Sequence, residues 1–372
     1  MSVTVTYVKV NCHCGNGALR VAFRTDSLPI SCTLCHCNKC RHVTGKMAFY
    51  VVPIVGKPLD SVADHAANLQ RFTSYKPTPT ETRYFCPLCS AHLLVRYTSG
   101  PQRWAVSGGA LDRVDGIIKI DSHTFVADTL DGGLANIIKE IDGVKLPRYS
   151  KGVGSELVPM GWRSEKLSSP QGELTAYCHC GTIGFKFSRP SELSYIPHAP
   201  YPDFIYPMDV THLAKLRNPT DDKWWLREST VPGEPAKYLG AHCVCHYCRL
   251  AGGCDIQSIA FVSRANMHEI GTNEVVDYFH EENRQPGLKQ YQSSPGRYRE
   301  YCGTCGAFVV WWHAGRPDVV DISTGLLDQK EDGVRAEHWI EWFKNRVAFQ
   351  EKAVNVSIAK GLVDGLKQEV VK

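Results

Sequence analysis

The stretch Cys35-His36-Cys37-Asn38-Lys39-Cys40-Arg41-His42-Val43-Thr44-Gly45 decides how this chain is read, because the chain writes it twice. The second copy is Cys243-Val244-Cys245-His246-Tyr247-Cys248-Arg249-Leu250-Ala251-Gly252-Gly253. Both follow C-x-C-x-x-C-R, with a glycine five residues after the last cysteine. Three thiols this close cannot pair into two disulfides, and a bridge between near neighbours would be strained, so metal ligation is the better reading. Structural zinc is closed by four protein ligands, whereas catalytic zinc keeps three and leaves a fourth position open. Cys35, Cys37 and Cys40, with Cys243, Cys245 and Cys248, are therefore candidate catalytic zinc sites.

Working outward, the other cysteines fall into matching sets. Cys12-His13-Cys14-Gly15 precedes the first trio and Cys86-Pro87-Leu88-Cys89 follows it; Cys178-His179-Cys180-Gly181 and Cys302-Gly303-Thr304-Cys305 flank the second. Each half closes with S-x-G-x-L-D, Ser107 to Asp112 and Ser323 to Asp328. Cys302 minus Cys86 and Ser323 minus Ser107 give one offset, 216, which marks a duplication. If the flanking pairs meet, they form closed four-cysteine sites: Cys12, Cys14, Cys86 and Cys89, then Cys178, Cys180, Cys302 and Cys305. That gives about two zinc ions per domain. Cys32 and Cys254 have no counterparts and read as buried apolar residues.

The 372 residues suffice for two domains. Lys plus Arg number 42 against 38 Asp plus Glu, a balance that calls for neither nucleic acid nor an anionic membrane as partner. The start of the chain has no basic, then apolar, secretory pattern, and no apolar run approaches the ~20 residues of a membrane span. A cytoplasmic or nuclear setting follows, in which 16 cysteines point to metal rather than disulfides.

Short β-rich runs punctuated by Gly and Pro predict a mainly β protein: two tandem antiparallel domains of one fold, few short helices and a helical C-terminal tail. Expected strands are Met1 to Val10, 17–23, 47–54, 91–97 and 117–120, then 183–187, 256–262 and 307–312. The first domain is expected over 1–138, a linker over 139–172, the second domain over 173–345 and the tail over 346–372, with amphipathic helix from about Glu337 onward. The second half carries an insertion, about 190–239, since 62 residues separate Cys180 from Cys243 against 20 between Cys14 and Cys35. It is rich in Pro and aromatics, and a long aromatic loop is more often functional than disordered.

The order C-x-C-G, C-H-C-x-x-C-R, F-C-x-x-C and G-x-L-D resembles the glutathione-dependent formaldehyde-activating enzyme and centromere protein V family, in tandem. Cys12 to Gly15, Cys35 to Arg41, Phe85 to Cys89 and Gly109 to Asp112 carry it, and Cys178 to Gly181, Cys243 to Arg249, Tyr301 to Gly306 and Gly325 to Asp328 repeat it. Ser90, Tyr301 and Val244 depart from the pattern without removing a ligand. The resemblance implies a twisted antiparallel β fold, a closed structural zinc, and a three-cysteine zinc beside a glutathione site. The implied activity is that of a carbon–sulfur lyase acting on an S-hydroxymethylglutathione-type adduct, with glutathione as co-substrate. An electron-rich three-thiolate metal suits such chemistry, since it can take an incoming thiol as a fourth soft ligand. The alternative is a non-catalytic zinc module that binds protein or nucleic acid.

Arg41 and Arg249 are candidates to clamp a glutathione carboxylate, or to support the anionic cluster from behind. Asp112 and Asp328 could move protons, although turn or cap roles suit them better. His36, His42, His123 and His246 could orient a ligand or could simply pack. Trp224 and Trp225 are candidate walls of a cofactor pocket over the second trio.

Overall fold

The computed structural model describes residues 4–167, 172–207, 216–229 and 231–370. The expected start of the first strand at Met1, Ser168 to Pro170 of the expected linker, part of the insertion and the last two residues lie outside them.

In the first half, β1 (Val5–Val10), β2 (Leu19–Arg24), β4 (Val51–Leu59), β5 (Thr73–Thr78), β6 (Glu81–Phe85), β7 (His92–Tyr97) and β8 (Arg103–Ser107) form one sheet in the order β1-β2-β4-β8-β7-β6-β5. The intervening β3 (Ile30–Cys35) pairs in parallel with β9 (Ile118–Thr124). Residues 139–145 add a small hairpin, β10 (Glu140–Ile141) with β11 (Val144–Lys145). In the second half, β12 (Glu173–Tyr177) and β13 (Gly184–Ser188) stand with β17 (Met267–Glu269) in a separate three-stranded sheet. The main sheet there runs β14 (Leu226–Arg227), β15 (Lys237–Cys243), β16 (Gln257–Ser263), β21 (Val319–Ser323), β20 (Phe308–His313), β19 (Arg297–Cys302), β18 (Leu288–Ser294). Parallel pairing of β15 with β22 (Ile340–Trp342) repeats that of β3 with β9. The expected mainly β, two-copy architecture is thus present.

Each trio sits on a strand-to-helix turn. β3 ends at Cys35 and α1 (Asn38–Thr44) begins after Cys37, whose Sγ accepts the Cys40 backbone N–H at 3.3 Å, as an N-cap side chain does. β15 and α2 (His246–Gly252) repeat this, with Cys245 Sγ accepting from Cys248 N at 3.2 Å. Both helices stop at the glycine of the motif in left-handed conformation, Gly45 at φ 75° and Gly253 at φ 67°.

Those helices hold the halves together reciprocally. Arg41, fully buried, donates to Gly325 O at 3.0 Å and Gln329 Oε1 at 2.8 Å in the second half. Arg249 donates to Gly109 O at 2.8 Å and Leu111 O at 2.6 Å in the first. The G-x-L-D glycines are needed for this approach, because a Cβ on Gly325 would strike the Gly45 carbonyl and one on Gly109 the Gly253–Cys254 backbone. One apolar cluster runs through both halves.

Of the stretch expected to link the domains, 139–172, the described residues 139–167 are largely folded onto the first half. Leu146 and Val158 are buried, Tyr149 N donates to His123 O at 2.9 Å, and Ser164 N donates to Leu130 O at 2.8 Å. The expected helical C-terminal tail is present, but it starts later than about Glu337. Residues near Glu337 form β22 because Trp339 and Trp342 bury beside β15, and helix begins only at Val356, running to Val370. That helix docks on the first half, where Gly361 and Gly365 let it approach the carbonyls of Glu140 and Ile137.

Candidate metal centres and the cavities over them

Local turns and long-range pairing together build four sulfur clusters. Cys12 and Cys14 follow β1, Cys86 and Cys89 span the turn after β6, and all four sulfurs lie within 4.8 Å of one another. Cys178, Cys180, Cys302 and Cys305 repeat this in the second half. Adjacent sulfurs are 3.4 Å apart at Cys14–Cys86 and 3.5 Å at Cys180–Cys302. Tetrahedral zinc with Zn–S near 2.3 Å sets its sulfurs about 3.8 Å apart, so both sets fit that ion after a small expansion.

Cys35, Cys37 and Cys40 form a third cluster, and Cys243, Cys245 and Cys248 a fourth. Among the described residues, no further His, Cys, Asp or Glu joins either trio within 4.8 Å. Cys32 and Cys254 turn away, their thiols toward Ile30 O at 3.6 Å and Ala48 O at 3.3 Å. In each trio the last cysteine is the most acidic. The Cys35 and Cys37 thiols, with the Arg83 guanidinium 3.2 Å away, hold Cys40 well below the ordinary thiol range. Cys248 is held down in the same way by Cys243, Cys245 and Arg299 at 3.6 Å.

Each trio opens into a cavity, about 520 Å³ over the first and about 500 Å³ over the second. Sequence reading missed the residues that make these cavities unlike. Glu81 faces the first and is buried between Lys39 and Arg83, the latter at 2.6 Å, so two of its cations are neutralised locally. At the position 216 residues on stands Arg297, which lines the second cavity with Arg299 and Lys352. Neither Arg297 nor Lys352 forms an ion pair with any described residue. Asp203 and Phe204 of the insertion close one side of this cavity, and Asp321, on the wall, lies 2.8 Å from Arg316.

The other expected site residues are placed as follows. Arg41 and Arg249 face the opposite half rather than either cavity. Trp224 and Trp225 are core residues whose indole N–H groups donate to Ala199 O at 2.9 Å and Ser194 O at 3.1 Å, and neither lines the second cavity. His36 and His123 form a buried pair at 2.9 Å, and His42 binds Tyr177 O at 2.7 Å. His246 is 3.4 Å from Arg249. Asp328 caps the short helix Gln329–Asp332 by accepting from Lys330 N, and Asp112 is exposed.

The profile of the family described as glutathione-dependent formaldehyde-activating enzyme matches residues 7–128 and again 228–345. The chain belongs to that family. It does so twice over, in a tandem arrangement, and membership supports a glutathione-linked, metal-dependent activity in general. Searches of curated proteins and of solved structures returned no match. Among the described residues no helix is long and apolar enough to cross a membrane.

Proposed function

We propose that this chain is a zinc-dependent carbon–sulfur lyase that joins glutathione to, or releases it from, an aldehyde or related electrophile, and that the second trio is the working site. The observation that carries this reading is a three-thiolate cluster without a fourth protein ligand among the described residues, opening into a cavity of about 500 Å³ whose Arg297 and Lys352 form no ion pair with a described carboxylate. Glutathione brings two carboxylates and one ammonium, which complement Arg297, Lys352 and Asp203 respectively.

Bound zinc would supply the positive charge that favours an incoming thiol as thiolate. The remaining work falls to the chain. Arg297 and Lys352 bind and orient the peptide's carboxylates. Phe204 and Phe349 wall the cavity against water. In the forward direction the sulfur of glutathione bonds to the carbonyl carbon, and the carbonyl oxygen takes up the proton that the thiol gave away; the reverse restores both. Burial pushes the Asp321 carboxyl up to about 7, which suits it to carry that proton. The first cavity, where Glu81 already holds Lys39 and Arg83 and leaves Lys151 as the one cation without a carboxylate among the described residues, is less suited to the same ligand. The near balance of charge over the chain argues against the alternative of a nucleic-acid module.

Titrating glutathione into the cobalt-substituted protein tests this. A new thiolate-to-metal band is expected in the wild type and should be lost in Cys248→Ser. A band that follows Cys40 instead, or none in the wild type, overturns the assignment.

A further inference from the structure

We infer that the second trio's site is shared between the halves, with His13 of the first half contributing a hydrogen bond to the glutathione moiety bound there. This rests on the functional reading above. His13 lies between two cysteines of the first half's four-cysteine cluster, yet it lines the cavity of the other half beside Tyr247 and Arg299. Its position is set from the second half: Nδ1 is 2.7 Å from the Tyr291 hydroxyl, with the rings edge-on at 77°. The Tyr247 ring stands 5.5 Å away on another side. Nε2 has no hydrogen-bond partner among the described residues, so a ring clamped at one nitrogen offers the other to a ligand.

The duplication supplies an internal control. His179 meets Tyr75 in the mirror-image contact, again at 2.7 Å and 77°, and Tyr75 and Tyr291 stand 216 residues apart. The pairing alone is thus part of the frame that joins the halves. His179, however, does not line the first cavity, where Lys39 and Glu81 occupy the positions of Tyr247 and Arg297. Only the second cavity combines the frame with access. This contribution needs no change of charge on the imidazole; it needs a fixed ring with one free nitrogen, as a binding site on rigid elements does.

The test is glutathione binding to the cobalt-loaded full chain, followed by the band that Cys248→Ser abolishes. His13→Ala should raise the Kd about tenfold or more, the loss expected for one hydrogen bond to a charged group. His13→Gln, which can place an amide N–H near Nε2, should recover part of it, and His179→Ala should leave this Kd unchanged. Metal content and unfolding midpoint of each variant distinguish a lost contact from a damaged four-cysteine cluster. A Kd that stays within twofold of wild type in His13→Ala, or rises equally in His179→Ala, overturns the inference while leaving the lyase reading standing. A wild type that shows no band removes both.

Discussion

Replacing Arg41 by Met tests the reciprocal staple. The guanidinium makes two cross-half bonds at 2.8–3.0 Å, to Gln329 and Gly325, and a third at 2.8 Å to Asn38 of its own helix. Each charge-assisted bond contributes ~1.5–3 kcal/mol, but the buried cation is desolvated, and burial pushes its pKa down to about 10. The two effects offset in part. Met removes the charge while stranding two buried acceptors and a part-buried one, and each buried acceptor left unsatisfied costs ~1–3 kcal/mol. The expected result is a lower chemical unfolding midpoint for the zinc-loaded chain, with glutathione affinity at the Cys248-dependent site unchanged. Arg41→Lys should recover less than half of the loss, since one ammonium cannot span both carbonyl and amide acceptors. An unaltered midpoint combined with weakened glutathione binding would refute the staple and restore the carboxylate clamp.

Other consequences are open to measurement. Metal analysis of the purified protein should find about four zinc ions per chain, falling by about one in Cys248→Ser and not at all in Cys254→Ser. Gly45→Ala should cost about 1–3 kcal/mol through its left-handed backbone alone, and more because the new methyl meets the Phe308 carbonyl; thermal melting reads it. Asp131, buried and accepting N–H groups from Gly133 at 2.9 Å and Arg335 at 2.6 Å, is pushed by burial up to about 6. The folded state then binds the proton more tightly than the unfolded one, so this group's destabilising contribution grows as pH rises from about 4 to about 6 and is complete above that. It amounts to on the order of 3 kcal/mol, and the difference in stability between wild type and Asp131→Asn should change by that much across the window; a difference constant with pH would exclude it.

The metal clusters were legible because their spacing is local chemistry. C-x-C-x-x-C forces three sulfurs onto one turn, and the equal offsets exposed the duplication. What escaped depends on partners far away in sequence. Arg41 reads as a ligand-facing cation until its acceptors, 284 residues on, are known. Trp224 and Trp225 look like a pocket wall, but their neighbours Asp203 and Phe204 supply it while the indoles fill the core. Residues 139–167 lack apolar periodicity because backbone hydrogen bonds to His123 and Leu130, with scattered buried side chains such as Leu146 and Val158, hold much of them in place. His13 and His179 did leave a signal, as the same residue type at the variable position of both C-x-C-G motifs. Without the fold, nothing indicated that this position crosses to the other copy.

The crossing of α1 and α2 onto each other's glycine turns makes the tandem chain equivalent to a dimer tied in one polypeptide. A chain cut between the copies would leave two glycine-floored surfaces bare and two arginines without the acceptors that the other copy provides. Either fragment should therefore seek out its counterpart in solution. A protein that carries only one such repeat, built on the same turn, would have to find its mate in a second molecule.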